Sequence, residues 1–316
     1  MKPLALFQLT CVLLIVAGAC ADGASIDERL DAVRASLDGG KYKEAAAGAR
    51  TVLRGARDEK TKSDATRILA VALRKDGLWR PAAKAYEDLQ ACCDEGSGPY
   101  VRSGATAEIL EASPKGIYEP LAKQAGRTPG ETGVGALADD DVLNAALAVL
   151  GTQRAEKLKG RVAQMKKARL AKDVVAIFAD IAKGYREARI LNPNLPADGA
   201  QNAAKAAALN LERVERDVMA PVRDTLDGIS KNVASRRTLT SAEQKKVAEC
   251  EQFCLEAAEA EEGFRTNLKV AAGERWPEAL ALGAASLRRG LQYGRMVREC
   301  RRLQYIATHG LWHRGI

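Results

Sequence analysis

The sequence predicts an all-α protein in which helical hairpins continue into long antiparallel helices, as an α-solenoid or helical bundle. Three observations carry this. Hydrophobic residues make up 47% of the chain but aromatics only 4%, with Ala and Leu prominent, which suits closely packed helices better than sheets built on β-branched and aromatic faces. Apolar residues recur at helical spacing from Ile26 almost to the C-terminus. Short stretches containing Gly or Pro separate the periodic segments, where turns belong.

The first residues read as a targeting segment: Lys2, an apolar run from Leu4 to Val16 broken only by Gln8 and Thr10, then Ala17, Gly18 and Ala19. Residues 1–19 are therefore expected to be a signal peptide and 20–25 a short tether. "AGAC", ending in Cys20, resembles the lipobox of bacterial lipoproteins, although Ala17 stands where Leu is usual. The resemblance implies that Cys20 is lipidated and becomes the mature N-terminus. Plain cleavage at the same Ala-x-Ala pattern is the alternative. Either route predicts an exported protein, and lipidation anchors it to a membrane facing the periplasm or the cell exterior. The formal charge of +8 falls by one if Lys2 is removed, and still favours acidic partners or anionic surfaces. Export makes nucleic acid an unexpected partner.

Two periodic units follow, within residues 26–96. "GKYKEA" at 40–45 returns as "GLWRPA" at 77–82: each copy has Gly two residues before an aromatic and five before Ala. Each unit reads as helix, turn, helix, with Leu69, Ala70 and Leu73 packing in the first helix of the second unit and Ala82 and Tyr86 in its second. On these residues the pattern resembles the tetratricopeptide repeat, two antiparallel helices locked by small residues. The resemblance implies a groove lined by the first helix of each unit, at Asp27, Leu30, Arg34, Leu37 and Asp38, then Asp64, Arg67, Val71, Arg74 and Lys75. Independently, Arg67, Val71 and Arg74 fall at i, i+4 and i+7 and share one helical face. Arg34, Arg67, Val71, Arg74 and Lys75 form the expected partner-binding groove, for a peptide or protein that is acidic if the cations grip it. Ordinary solvent-facing cations, partly neutralised by Asp27, Asp38 and Asp64, are the alternative. "YREARILNPN" at 185–194 looks like a closing helix of the same kind, ended by Pro193.

Residues 97–138 read as an irregular connection with a short helix, bounded by "SGPYVRSGATAE" and "GRTPGETGVGALADDD". The second stretch marks the expected subdomain boundary. Residues 139–316 read as a long-helix bundle. Leu143, Leu147, Leu150, Leu158, Val162, Met165, Val174, Phe178 and Ile181 recur at helical intervals, and another helix fills about 199–231. "LTSAEQ" offers Thr240 or Ser241 as an N-cap with an acid or amide three residues on, a capping box. That helix is expected to reach about Ala271, turn at "AGERWPE" and return to about Thr308. Pairing the two arms around Glu274 sets Cys300 against the neighbourhood of Cys250, so a Cys250–Cys300 disulfide and buried free thiols are both open.

Catalytic signatures are thin. The two histidines, His309 and His313, both lie near the C-terminus, which leaves a Ser-His-Asp or Cys-His arrangement hard to build. Their i, i+4 spacing is better read as a solvated helix end than as a metal clamp. "GVGALA" at 133–138 satisfies Gly-x-Gly-x-x-Ala but follows a Pro/Gly loop rather than a strand, so it reads as a loop. Asp139, Asp140 and Asp141 read as a helix start. No cofactor, metal or catalytic residue is expected. The sequence points to an exported, membrane-tethered helical scaffold for a peptide or protein. The alternatives are an envelope hydrolase with a carboxylate pair in a helical cleft, and a binder of anionic lipid or polymer through the basic stretches 153–172 and 288–302.

Overall fold

The computed structural model of the chain describes residues 25–111, 134–236, 238–272 and 276–309. Among these there are helices and turns and no strand, as the composition predicts. Cys20, with the segment read as a signal peptide, and His313 lie outside the described residues. The chain divides into two compact units, residues 1–151 with 190–193, and residues 152–189 with 194–316.

In the first unit, α1 (Ile26–Asp38), α2 (Tyr42–Gly55), α3 (Glu59–Lys75), α4 (Trp79–Ala91) and α5 (Gly98–Glu111) follow one another, each packed on the next, and α1 also touches α3. The two glycine seams share one geometry. Gly40 and Gly77 have φ of 72° and 78°, the left-handed region that glycine enters without a Cβ clash. Lys41 N–H donates to the Ser36 carbonyl at 2.9 Å and Leu78 N–H to the Leu73 carbonyl at 2.9 Å, the long closing bond of a Schellman turn. Tyr42 and Trp79 lie over the turns, their nearest atoms 4.0 and 3.6 Å from where a glycine Cβ would stand. Ala45 and Ala82 are fully buried, where helix backbones meet. The spacing Gly, aromatic, Ala thus sets a turn, its cover and a close contact.

Two local readings need correction. "SGPYVRSGATAE" is not a connection: Ser97 Oγ accepts the Tyr100 N–H at 3.3 Å, Pro99 occupies the first turn, where no N–H is required, and Val101, Ala105 and Ile109 bury in the core. The stretch 134–138 is a 3₁₀ turn with Leu137 fully buried. The unit boundary also falls later than 139, inside α6 (Asp140–Lys167). Leu143, Ala146, Leu147 and Leu150 belong to the first core, whereas Ala155 and Met165 belong to a core of the second unit.

The second unit continues with α7 (Ala171–Leu191), α8 (Asp198–Val214), a π turn (Glu215–Met219), α9 (Ala220–Arg236), α10 (Ser241–Ala272) and α11 (Glu278–His309). The π turn precedes Pro221, which has no N–H to continue the α ladder. The capping box is present: Glu243 N–H donates to Thr240 Oγ1 at 3.2 Å and Thr240 N–H to the Glu243 carboxylate at 3.0 Å. Phe178 and Phe264 meet at 5.4 Å between ring centres in one core. The other core, under the α10–α11 hairpin, holds Val247, Tyr293, Val297 and Leu303.

Pairing the hairpin arms brings Cys250 and Cys300 into this second core together with Cys254, all three buried free thiols. Burial pushes the Cys254 and Cys300 thiols up to about 12, with the neighbouring thiols adding to it, and raises Cys250 as well. A thiolate is the attacking species. An aromatic disulfide reagent at pH 8 is therefore expected to modify exposed Cys92 first and these three only as the protein unfolds. Immediate modification of all of them would show that this core opens in the native state.

Candidate functional site

The outer faces of α1 and α3 lie side by side and are tied together by charge. Arg34 donates to Asp31 at 2.9 Å and across to Asp64 at 3.0 Å. Arg67 stands 3.9 Å from the same Asp64. Asp64 is thus shared by two guanidinium groups, and the Arg34 and Arg67 side chains remain 46% and 57% exposed. A guanidinium has five N–H donors, so both retain donors for a further carboxylate. Val71, one turn on from Arg67, is half-buried and supplies an apolar edge.

Three expected groove residues do not stand on this face as free contacts. Leu30 is buried at 5% exposure. Arg74 is 2% exposed and turned inward: it donates to the Leu137 carbonyl, to the Ala138 carbonyl at 3.2 Å, to Tyr86 Oη at 3.3 Å and to Asp140. Lys75 is held by the other oxygen of Asp140 at 2.8 Å. The reason is local. The 3₁₀ turn 134–138 exposes carbonyls toward the core with no helical partner, and a buried carbonyl needs a donor. Burial alone would raise the Asp140 carboxyl, but hydrogen bonds from Lys75 and Arg74, and then their charges, hold it below its ordinary value. Of the triplet Arg67, Val71 and Arg74, the structure leaves the first two on the surface.

Asp140 does not act alone at its helix start. Asp139 accepts the Asp141 N–H at 2.8 Å, as a capping residue does. Of the two histidines, His309 is described, and its ring stacks on Tyr305 at 4.4 Å. Among the described residues no group of three or more His, Cys, Asp or Glu is placed to hold a metal ion.

In the second unit a cleft of about 430 Å³ opens between α6, α7 and α8, lined by Glu156, Lys159, Val162, Tyr185, Asp198 and Asn202 among others. Tyr185 lies against Gly199 so closely that a Cβ there would sit 2.5 Å from its ring. Glu156 and Asp198 place two carboxylates in one helical cleft. Both are exposed, and Glu156 is bonded to Lys159 at 2.7 Å, so neither has the burial by which a general acid is tuned. Among the described residues the most buried carboxylate, Glu261 at 1% exposure, is gripped by Arg289 through two bonds of 2.6 and 3.0 Å. Sequence reasoning missed this pair; the charges recur at helical spacing and look like a solvated face.

The basic stretches are partly neutralised within the unit. Arg161 pairs with Asp180, Lys172 with Glu256 at 3.1 Å, and Arg301 with Glu251 at 2.8 Å.

Two substitutions separate the buried arginine from the surface one. Arg74→Met leaves inward carbonyls and Tyr86 unpaired, each worth about 1–3 kcal/mol when buried; urea unfolding followed by circular dichroism should show a loss of at least ~2 kcal/mol. Arg67→Ala should stay within ~0.5 kcal/mol. For Asp140, a folded value below the unfolded one means stability that is present above about pH 4 and lost as pH falls through the folded value. The advantage of the wild type over Asp140→Asn should therefore shrink below about pH 4. No protein-family model matches this chain, and no curated protein or solved structure matches it either.

Proposed function

We propose that this protein is an exported helical scaffold, tethered through Cys20, that uses a tetratricopeptide-like pair of hairpins to bind an acidic peptide or a C-terminal carboxylate. The observation that carries the reading is the joined outer face of α1 and α3, where Arg34 and Arg67 flank Asp64 with guanidinium donors still open to solvent. A ligand carboxylate lying along this face takes Arg67 bidentately, the geometry in which arginine discriminates carboxylates. Arg34 supplies a second contact, and Val71 packs against the ligand's apolar part. Arg74 and Lys75 act from behind, fixing the end of α3 to Asp140. The export and tether rest on the sequence of residues 1–20, and the repeat reading rests on the shared Gly, aromatic, Ala spacing of the two seams.

The test is affinity capture from mildly solubilised envelope, comparing the wild type with Arg34→Ala/Arg67→Ala. Partner recovery should fall at least tenfold, about 1.4 kcal/mol, while helical content and thermal stability stay unchanged. Undiminished recovery by the folded variant moves the binding site off this face. The tether is tested separately. Cys20→Ala should release the mature protein into the soluble fraction or leave an unprocessed precursor, and unchanged processing and membrane partition would remove the lipid anchor from the account.

A further inference from the structure

The outer face of α11 is uncovered within its own unit and has two kinds of side chain along it. Leu280, Leu287 and Leu291 are 81%, 49% and 60% exposed. Their spacing of seven and then four residues puts them on one stripe, about 16 Å long at 1.5 Å per residue. A soluble surface carries scattered exposed leucines without consequence, but three in register on one helix form a patch. The same stripe continues toward the C-terminus as Arg295 and Arg298, with Arg288 at its edge, all exposed.

The pairing of the other arginines on this helix isolates these three. Arg289 is bound to Glu261, Arg301 to Glu251, and Arg302 to Glu299 at 2.6 Å. Among the described residues Arg288, Arg295 and Arg298 make no ion pair. The stripe itself carries no carboxylate between Leu280 and Arg298; Glu299 lies at its margin and is engaged by Arg302 and Ser230. A second copy of α11 would bring leucines to leucines, but the carboxylates of that helix, Glu278 and Glu299, are already paired with Lys205 and Arg302. The complementary occupant is apolar and anionic at once.

We propose that this face docks on an anionic phospholipid bilayer, with Leu280, Leu287 and Leu291 entering the headgroup and acyl boundary and Arg288, Arg295 and Arg298 meeting lipid phosphates. Such an arrangement is that of an interfacial amphipathic helix, whose binding combines buried apolar area with attraction to anionic lipid. It is independent of the groove on α1 and α3 and of the fate of Cys20.

A photo-crosslinking benzophenone amino acid in place of Leu287, in the full chain, identifies the occupant. With vesicles of phosphatidylglycerol and phosphatidylcholine, irradiation should give a lipid adduct. A probe at exposed Gln252 on α10 should give little. The 287 adduct should fall at least tenfold in Arg288→Gln/Arg295→Gln/Arg298→Gln and with pure phosphatidylcholine vesicles. Equal adducts at 287 and 252, an adduct indifferent to the arginines or to lipid charge, or no adduct would overturn the proposal. So would crosslinking of 287 to a second copy of the chain or to another protein.

Discussion

Close approach of helix backbones at alanine is the constraint on which the rest of this structure depends. In the first unit Ala45, Ala49, Ala65, Ala70, Ala72 and Ala82 are all fully buried, and in the second Ala188, Ala203, Ala204 and Ala207 take the same part. Alanine loses no side-chain entropy on burial and has the highest helix propensity, so such helices form readily and pack near. The cost is a small apolar area per contact, at roughly 25 cal/mol per Å². Small smooth faces also slide and rotate more easily than interlocked large ones. Something other than side-chain shape must fix the register.

Buried polar side chains supply that register. Arg74 reaches from α3 to the carbonyls of the 134–138 turn and to the start of α6. In the second unit, Arg213 on α8 donates to the Lys166 carbonyl at 3.0 Å and to the Ala168 carbonyl at 2.6 Å, and Asn210 donates to the Met165 carbonyl. These bonds close the C-terminus of α6, whose last carbonyls have no helical donors. Glu261 and Arg289 do the same work between the arms of the α10–α11 hairpin. A buried ion pair adds little net stability over a well-packed apolar pair, but only one alignment of the helices satisfies it, and misalignment leaves charges unpaired. Alanine permits the approach, and these groups select one version of it.

That division of labour explains what could be read from the sequence. Periodicity, capping residues and turn glycines are local, and they located the hairpin 241–309, its capping box at Thr240 and the thiols that meet across it. The positive-φ seams at Gly40 and Gly77 were visible as a recurring spacing, because a Schellman turn needs its glycine within the same few residues that form it. The short helix expected within 97–138 begins earlier than read, at Gly98, because Gly98 and Pro99 read as breakers, whereas Ser97 and the first helical turn accommodate them. Arg74 was misplaced for a different reason. Its position on the polar side of α3 is correct by periodicity, but its partners at Leu137 and Asp140 lie more than sixty residues on, in a stretch that reads as loop. A polar residue buried by a distant segment has the same local pattern as one facing water. For the candidate groove, Arg34, Arg67 and Val71 were legible as surface, while their union through Asp64 required the adjacency of α1 and α3.

Charge follows the same rule, and the consequence bears on recognition. Counted along the sequence, 49 basic residues against 41 acidic ones suggest a diffusely cationic molecule. Paired in space, part of the basic content is taken up in salt bridges: exposed ones such as Lys84 with Glu87 at 3.0 Å contribute little energy, and buried ones fix register. Within the remainder, arginines whose donors are open and whose neighbours are apolar stand out. Arg34 and Arg67 beside Val71 make one such set, still partly tempered by Asp64. Arg288, Arg295 and Arg298 beside an exposed leucine stripe make another, with no acid in that role. The first set keeps a carboxylate between its cations, which is why the proposed ligand is one that places its own carboxylate with directional bonds. The second has no such competitor, which is why the proposed occupant is a dense array of phosphates. Specificity in the one and charge density in the other follow from whether the protein has already placed an acid among its arginines.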